Sequence, residues 1–237
     1  MTNQNQPLIL GLDCATALCS VALVSGDNIL AQNTKEMSRG QAEEIMIMAN
    51  NALGETGTDP LALDCVAVTI GPGSFTGLRI GLSAARGLAL AIAKPCIGVT
   101  TFEVAAMMIG EKISDNNKLL VGIETKRDDI YAQLFDGKMT PLSPGAALHP
   151  DELAKMAKPY DGNLLVTGDG AKSALEMLRG HNIMASHVNP ATLHSATSVC
   201  AIAKTRYKPG ENPPAPQPLY LRPAEAKIAP PFVRKAK

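Results

Sequence analysis

Apolar residues run almost unbroken through positions 8–13 and 18–24 and resume at 29–35, with Gly26-Asp27-Asn28 separating the last two runs. Short apolar runs bounded by turn residues predict strands, and three in succession predict an antiparallel meander. Residues 41–53 have helical composition and end at Gly54, which predicts a helix closed there. A strand over 65–70 then leads through a Gly-rich loop, 71–77, into a helix over 78–93, followed by a strand over 96–99 and a helix over 101–109. That long helix is apolar on nearly every face, so all its faces need cover. In the first helix Ile45, Met46, Ile47 and Met48 spread beyond one apolar stripe, leaving a face for the sheet and a face for a partner or another element of the chain.

The pattern then begins again. Setting Leu10-Gly11-Leu12-Asp13 over Val121-Gly122-Ile123-Glu124 without gaps also aligns 19–23 with 130–134. Further on, 164–170 echoes 66–73, again a strand running into a Gly turn, and two matches in the same order predict a duplication. The divisions that follow are a first lobe over 1–110, a second over 111–207 that closes on a helical stretch 195–207, and a tail over 208–237. Pro209, Pro213, Pro214, Pro216 and Pro218 make that tail extended, packed on the surface or on a partner, and its last residues are basic.

Composition narrows the function. With 237 residues the chain can bury a sizeable core, and with 46% hydrophobic but only 3% aromatic residues that core is packed from small and aliphatic side chains. Lys plus Arg equals Asp plus Glu, 22 each, so the whole chain lacks the positive field that holds a nucleic-acid backbone unaided. Five scattered cysteines without a Cys-x-x-Cys spacing argue against a disulfide framework and a zinc knuckle, and fit a reducing compartment. The start, 1–7, lacks a basic, apolar leader, and the longest apolar stretch contains Arg79 and Arg86, so the expectation is a cytoplasmic protein that does not span a membrane.

Two segments resemble phosphate-binding turns. Asp13 ends a strand and is followed by small residues, Cys14-Ala15-Thr16, the outline in which backbone N–H groups approach a phosphate and a carboxylate its metal. The corresponding turn of the second block, 124–129, carries long charged side chains and suggests a lost site. Gly71, Gly73, Ser74, Thr76, Gly77 and Arg79 form the most distinctive segment, Gly-Pro-Gly-Ser-Phe-Thr-Gly running into a helix. Two readings of it stand side by side: an anion site at a helix N-terminus, or turn geometry with Thr76 capping the helix. No Lys-Ser or Lys-Thr completes a Walker loop, no His pair has metal-ligand spacing, and no Gly-x-Ser-x-Gly elbow is present.

Three segments carry a family resemblance: Leu10-Gly11-Leu12-Asp13 with Ser20-Val21-Ala22-Leu23, the 71–81 run, and Pro218-Leu219-Tyr220-Leu221-Arg222. Together they resemble the TsaB (YeaZ) family over nearly the whole chain. The resemblance implies an α/β, two-lobed actin-like or ribonuclease-H-like ATPase fold of duplicated βββαβα units, with the second lobe degenerate. It also implies a non-catalytic scaffold in making threonylcarbamoyladenosine at position 37 of tRNA, paired with a TsaD-like transferase and a TsaE-like ATPase. In that picture tRNA is met through the complex, ATP or ADP is held only there, and the chain forms a homodimer when alone. Gln41 and Ile45 stand where the sister transferase carries its metal-binding His pair. The family's contact helices place Glu44, Met48, Leu78, Leu82 and Arg86 as interface candidates. A free-standing phosphotransferase using Asp13, and a peptidase using Asp13 or Ser74, remain as alternatives.

Overall fold

The computed structural model describes residues 6–37, 39–109, 113–114, 116–192 and 194–222. The basic end of the tail lies outside them. Two five-stranded sheets are present. The first contains β1 (Leu8–Asp13), β2 (Leu18–Ser25), β3 (Asn28–Glu36), β4 (Cys65–Gly71) and β5 (Cys96–Thr100), in the order β3-β2-β1-β4-β5. The second contains β6 (Lys118–Ile123), β7 (Ile130–Phe135), β8 (Ala146–Leu148), β9 (Leu164–Thr167) and β10 (Ala185–His187), in the order β10-β9-β6-β7-β8. Read from the meander edge, the two orders are the same. In each sheet the first strand pairs antiparallel with the second and parallel with the fourth. This duplicated arrangement is the two-lobed actin and sugar-kinase type of α/β fold.

The expected matching of the strands of Leu10 and Val121 holds, because each is the central strand of its sheet, but the next strand slips by one residue: Leu10 faces Leu23, whereas Val121 faces Gln133 rather than Leu134. The second echo holds only in outline. Val66 pairs with Leu10, whereas Thr167 pairs with Val121, so Val66 corresponds to Thr167 rather than to Leu164. The second sheet therefore turns earlier relative to its central strand.

Six helices complete the described residues: α1 (Gln41–Thr56), α2 (Phe75–Ala91), α3 (Thr101–Met107), α4 (Pro150–Ala157), α5 (Ala171–Gly180) and α6 (Ser195–Arg206). α1 runs past Gly54 and ends on Gly57, whose left-handed backbone (φ 64°) suits a residue without a Cβ. α2 starts at Phe75, earlier than expected, because Ser74 rather than Thr76 is its cap and accepts a hydrogen bond from the Gly77 amide.

Alternation along β1 divides the first core. Leu10 and Leu12 face α1 and α2 with Val21, Ile45, Met48 and Leu82, while Ile9 faces the other way with Ala67, Val99, Val199 and Ala203. The last two belong to α6, so the boundary drawn at 207 does not follow the packing: α6 covers the first sheet, not the second. α3 is a wedge between the lobes. Its Val104 and Met108 beside its end join the first lobe's core, whereas Phe102 and Ala106 pack with Leu119, Val121 and Phe135 of the second.

Candidate functional site

The two phosphate-like turns of the first lobe pack against each other. Asp13 is buried, and its Oδ1 accepts hydrogen bonds from the Ala15 amide (2.9 Å) and the Thr69 hydroxyl (2.5 Å). The Ser74 amide donates to the Ala15 carbonyl at 2.7 Å. A Cβ at Gly73 would stand 2.2 Å from that carbonyl oxygen, and one at Gly77 would stand 2.0 Å from the carbonyl oxygen of Cys14. These glycines serve a backbone-to-backbone contact. Of the two readings of the loop, the geometry favours the turn-and-cap one: Ser74 accepts from the Gly77 amide through its hydroxyl and from the Leu78 amide through its carbonyl, and carbonyl oxygens lie beside Gly73 and Gly77.

The second lobe repeats the device. Gly168 is left-handed (φ 97°), and a Cβ there would lie 2.1 Å from the Gly122 carbonyl oxygen. Glu124, aligned with Asp13, bends back on its own turn: Oε1 accepts from the Thr125 and Lys126 amides (2.9 and 2.8 Å), and Oε2 accepts from the Ser173 hydroxyl (2.8 Å). These hydrogen bonds, the Lys126 amide's foremost, hold its carboxyl below the ordinary range. Asp169 across from it accepts from the Glu124 amide at 3.0 Å. Asp169 reaches solvent, yet the protein crowded around it in the cleft, with the neighbouring Glu124 charge adding to it, pushes its carboxyl up.

Between the turns lies a cleft of about 1130 Å³, bordered by Ala15, Gly73 and Ser74 on one side and Glu124, Lys126 and Asp169 on the other. Its mouth is crossed by the tail. The Leu219 amide donates to the Ile70 carbonyl at 2.7 Å, and Arg79 lies over the Phe75 ring (3.8 Å) with its Nε donating to the Tyr220 hydroxyl (3.2 Å). Arg79 is thus held by two aromatic side chains while it stays exposed and lines the cleft. Sequence reasoning kept the Pro-rich segment out of the site; the sign it carried was Leu-Tyr-Leu-Arg, an alternation that returns after the prolines.

The interface candidates separate. Met48, Leu78 and Leu82 are buried inside the first lobe, at 1, 2 and 4% exposure, and are core residues, not contact residues. Glu44 is half-buried and pairs with Lys35 at 2.5 Å, whereas Arg86 is exposed. What the helices do present is a different stripe. Phe75, Arg79, Ser83, Arg86 and Leu90 recur at helical spacing along α2 and are exposed, Leu90 at 84%. Beside it, Ile47 of α1 is 52% exposed, and a groove of about 520 Å³ runs between the helices, lined by Ala42, Met46, Phe75, Arg79, Ile80 and Ser83 among others.

No three His, Cys, Asp or Glu side chains converge on one point among the described residues, and none of their helices is long and apolar enough to cross a membrane. Ser74 Oγ caps α2, and Asp13 is tied to Ala15 and Thr69, so the two groups of the peptidase alternative are both committed to local structure.

The fold and these paired turns define a member of a known group: the chain belongs to the family described as TsaD, tRNA N6-adenosine threonylcarbamoyltransferase, whose model matches residues 28–229. Within it the similarity runs to TsaB (YeaZ), as the sequence motifs imply. The chain is 30% identical to the tRNA threonylcarbamoyladenosine biosynthesis protein TsaB of Escherichia coli, over 68% of this chain and 71% of that one. It is 22% identical to the protein of the same name from Bacillus subtilis, over 92% of this chain and 96% of that one. Its fold matches the solved structure of YeaZ from Pseudomonas aeruginosa with a TM-score of 0.74 at 25% identity, covering 91% of this chain and all of that one (100%).

Proposed function

We propose that the chain serves tRNA threonylcarbamoyladenosine biosynthesis as a non-catalytic subunit that docks a TsaD-like transferase through α1 and α2. The observation that carries this reading is the commitment of both ancestral turns to internal packing. A kinase-like site needs a carboxylate and backbone amides directed at phosphate and metal. Here Asp13 is engaged by Ala15 and Thr69, and Gly73 and Gly77 abut the carbonyls of Ala15 and Cys14. The relatives' names supply the pathway.

The exposed α2 stripe and the groove beside it supply the docking face, because an aromatic, an arginine and a leucine on one stripe suit a helix-to-helix contact. A partner of the same fold presents an equivalent helix pair, so a second copy of this chain is the competing occupant when the transferase is absent. On this reading a TsaE-like ATPase and tRNA join through the assembled complex, and ATP or ADP is held there rather than by this chain alone. The near balance of charge, 22 against 22, supports indirect contact with tRNA.

Size-exclusion chromatography with light scattering, on this chain with and without the TsaD-like protein of its own source, tests the docking reading. A one-to-one heteromer that Leu90→Glu weakens at least tenfold is expected, and a heteromer indifferent to Leu90→Glu and to Phe75→Ala would place the contact elsewhere.

A further inference from the structure

The segment Leu219-Tyr220-Leu221-Arg222 touches both lobes within four consecutive residues. On the first lobe the Leu219 amide bonds to the Ile70 carbonyl at the end of β4, and a Cβ at Gly71 would be 3.0 Å from the Leu219 carbonyl oxygen. Tyr220 stands 5.5 Å from the Phe75 ring and accepts from Arg79, both at the start of α2. On the second lobe Leu221 packs on the cluster of Phe102, Ile123 and Phe135. Arg222 forms an ion pair with the buried Asp129 and lies 5.1 Å from the Tyr131 ring. Upstream, the strap is pinned again at Pro216, whose Cβ would lie 2.8 Å from one built on Gly98. Within residues 219–222 the chain passes from contacts with one lobe to contacts with the other.

We propose that residues 219–222 are an interlobe latch: they hold the cleft at a fixed opening and link the start of α2 to the Thr125–Asp129 turn of the second lobe. Asp129 is joined to that turn directly, since the Thr125 hydroxyl donates to its carbonyl oxygen (2.6 Å) and its Oδ1 (2.9 Å). At the other end, Phe75 and Arg79 line both the interlobe cleft and the α1–α2 groove, so anything bound in the groove bears on the same side chains that hold Tyr220. Two lobes held by one short segment that bonds to both are thermodynamically coupled, and coupling of this kind is reciprocal.

The test is amide hydrogen exchange on the full chain alone, which makes it independent of the docking reading. Arg222→Ala cuts the second-lobe anchor and should speed exchange of the Leu219 amide, on the first lobe, by about tenfold. Phe75→Ala cuts the first-lobe support at an exposed position and should speed exchange of the Thr125 and Lys126 amides, on the second lobe, by a similar factor. Unchanged far-ultraviolet circular dichroism confirms that each variant is folded. Should Arg222→Ala fail to fold, Arg222→Lys keeps the charge, loses the planar group over Tyr131, and should give the same effect at smaller size. Protection unchanged in the opposite lobe, or changed in only one direction, overturns the latch.

Discussion

Gly73 and Ala15 meet backbone to backbone, the carbonyl oxygen of Ala15 occupying the place where a side chain on residue 73 would begin, 2.2 Å from that Cβ position. Gly77 stands in the same relation to Cys14, at 2.0 Å. The two phosphate-like turns of the first lobe are thus packed on each other. Gly73→Ala and Gly77→Ala should each destabilise the first lobe by roughly 2–4 kcal/mol, since backbone must move to admit a methyl group. Gly87, exposed in the same helix with nothing near its Cβ position, should behave oppositely: Gly87→Ala should stabilise by about 0.5–1 kcal/mol. Urea unfolding of the three variants reads both signs.

Leu82 and Leu90 lie about 80° apart around α2, the first turned into the core at 4% exposure and the second outward at 84%. Leu82→Glu should therefore unfold the lobe instead of selectively releasing a partner, because a carboxylate would enter the Leu10, Val68 and Met48 core at a cost of several kcal/mol, about 3–5. Leu90→Glu should leave the thermal midpoint of the isolated chain within a few degrees of the parent. A Leu82→Glu protein with an unchanged midpoint would contradict the packing described for α2.

Much of this arrangement could be read along the chain, and the parts that could not have identifiable reasons. The first meander, β4 and the Gly loop were legible because strand alternation and turn residues are local signals. The exchange that puts α6 on the first sheet was not, since nothing within 195–206 states which sheet it will cover. Its trace lies elsewhere: Gly11 in the middle of a buried strand, where a Cβ would be 2.6 Å from Cys200 Sγ and 2.7 Å from the Ala196 carbonyl oxygen. α4 and α5 lie outside the elements that the sequence pattern predicts. The family resemblance places Met48, Leu78 and Leu82 at a contact face, but helices lying on a sheet bury their most apolar stripe first, which puts these three inside and the mixed stripe from Phe75 to Leu90 outside.

Glu124 gives a prediction with a definite sign in pH. Its folded carboxyl lies below the ordinary value of 4.5 because the Lys126 amide, Ser173 and the Thr125 amide bond to the ionised form. The stability this contributes is present in full above the unfolded value and is lost as pH falls through the depressed folded value. Glu124→Gln should be less stable than the parent at neutral pH, and the difference should shrink below about pH 4.5. Asp169, shifted upward, works in the opposite direction, so the comparison is made between parent and variant at each pH rather than from the parent's acid transition alone.

All five cysteines are free and buried, and burial pushes the Cys65 and Cys96 thiols up to about 12. A thiol in that state supplies almost no thiolate at neutral pH. Iodoacetamide at pH 7.5 should leave Cys65, Cys96 and Cys200 of the native chain unmodified by mass spectrometry and alkylate them in denaturant. Rapid native labelling at Cys65 or Cys96 would show that the first sheet opens far more readily than its packing implies.

The measurement that bears most directly on the account is reconstitution of tRNA threonylcarbamoylation from purified TsaD-like and TsaE-like proteins supplied with tRNA, ATP and an activated threonylcarbamoyl donor, with this chain present, absent, or carrying Asp13→Asn or Leu90→Glu. The account predicts that modification requires this chain, that Asp13→Asn retains it wherever the protein folds, that Leu90→Glu loses it, and that the chain alone hydrolyses no ATP. Steady ATP turnover by the isolated chain, abolished by Asp13→Asn in a folded protein, would contradict the account and restore a working phosphate site between the lobes.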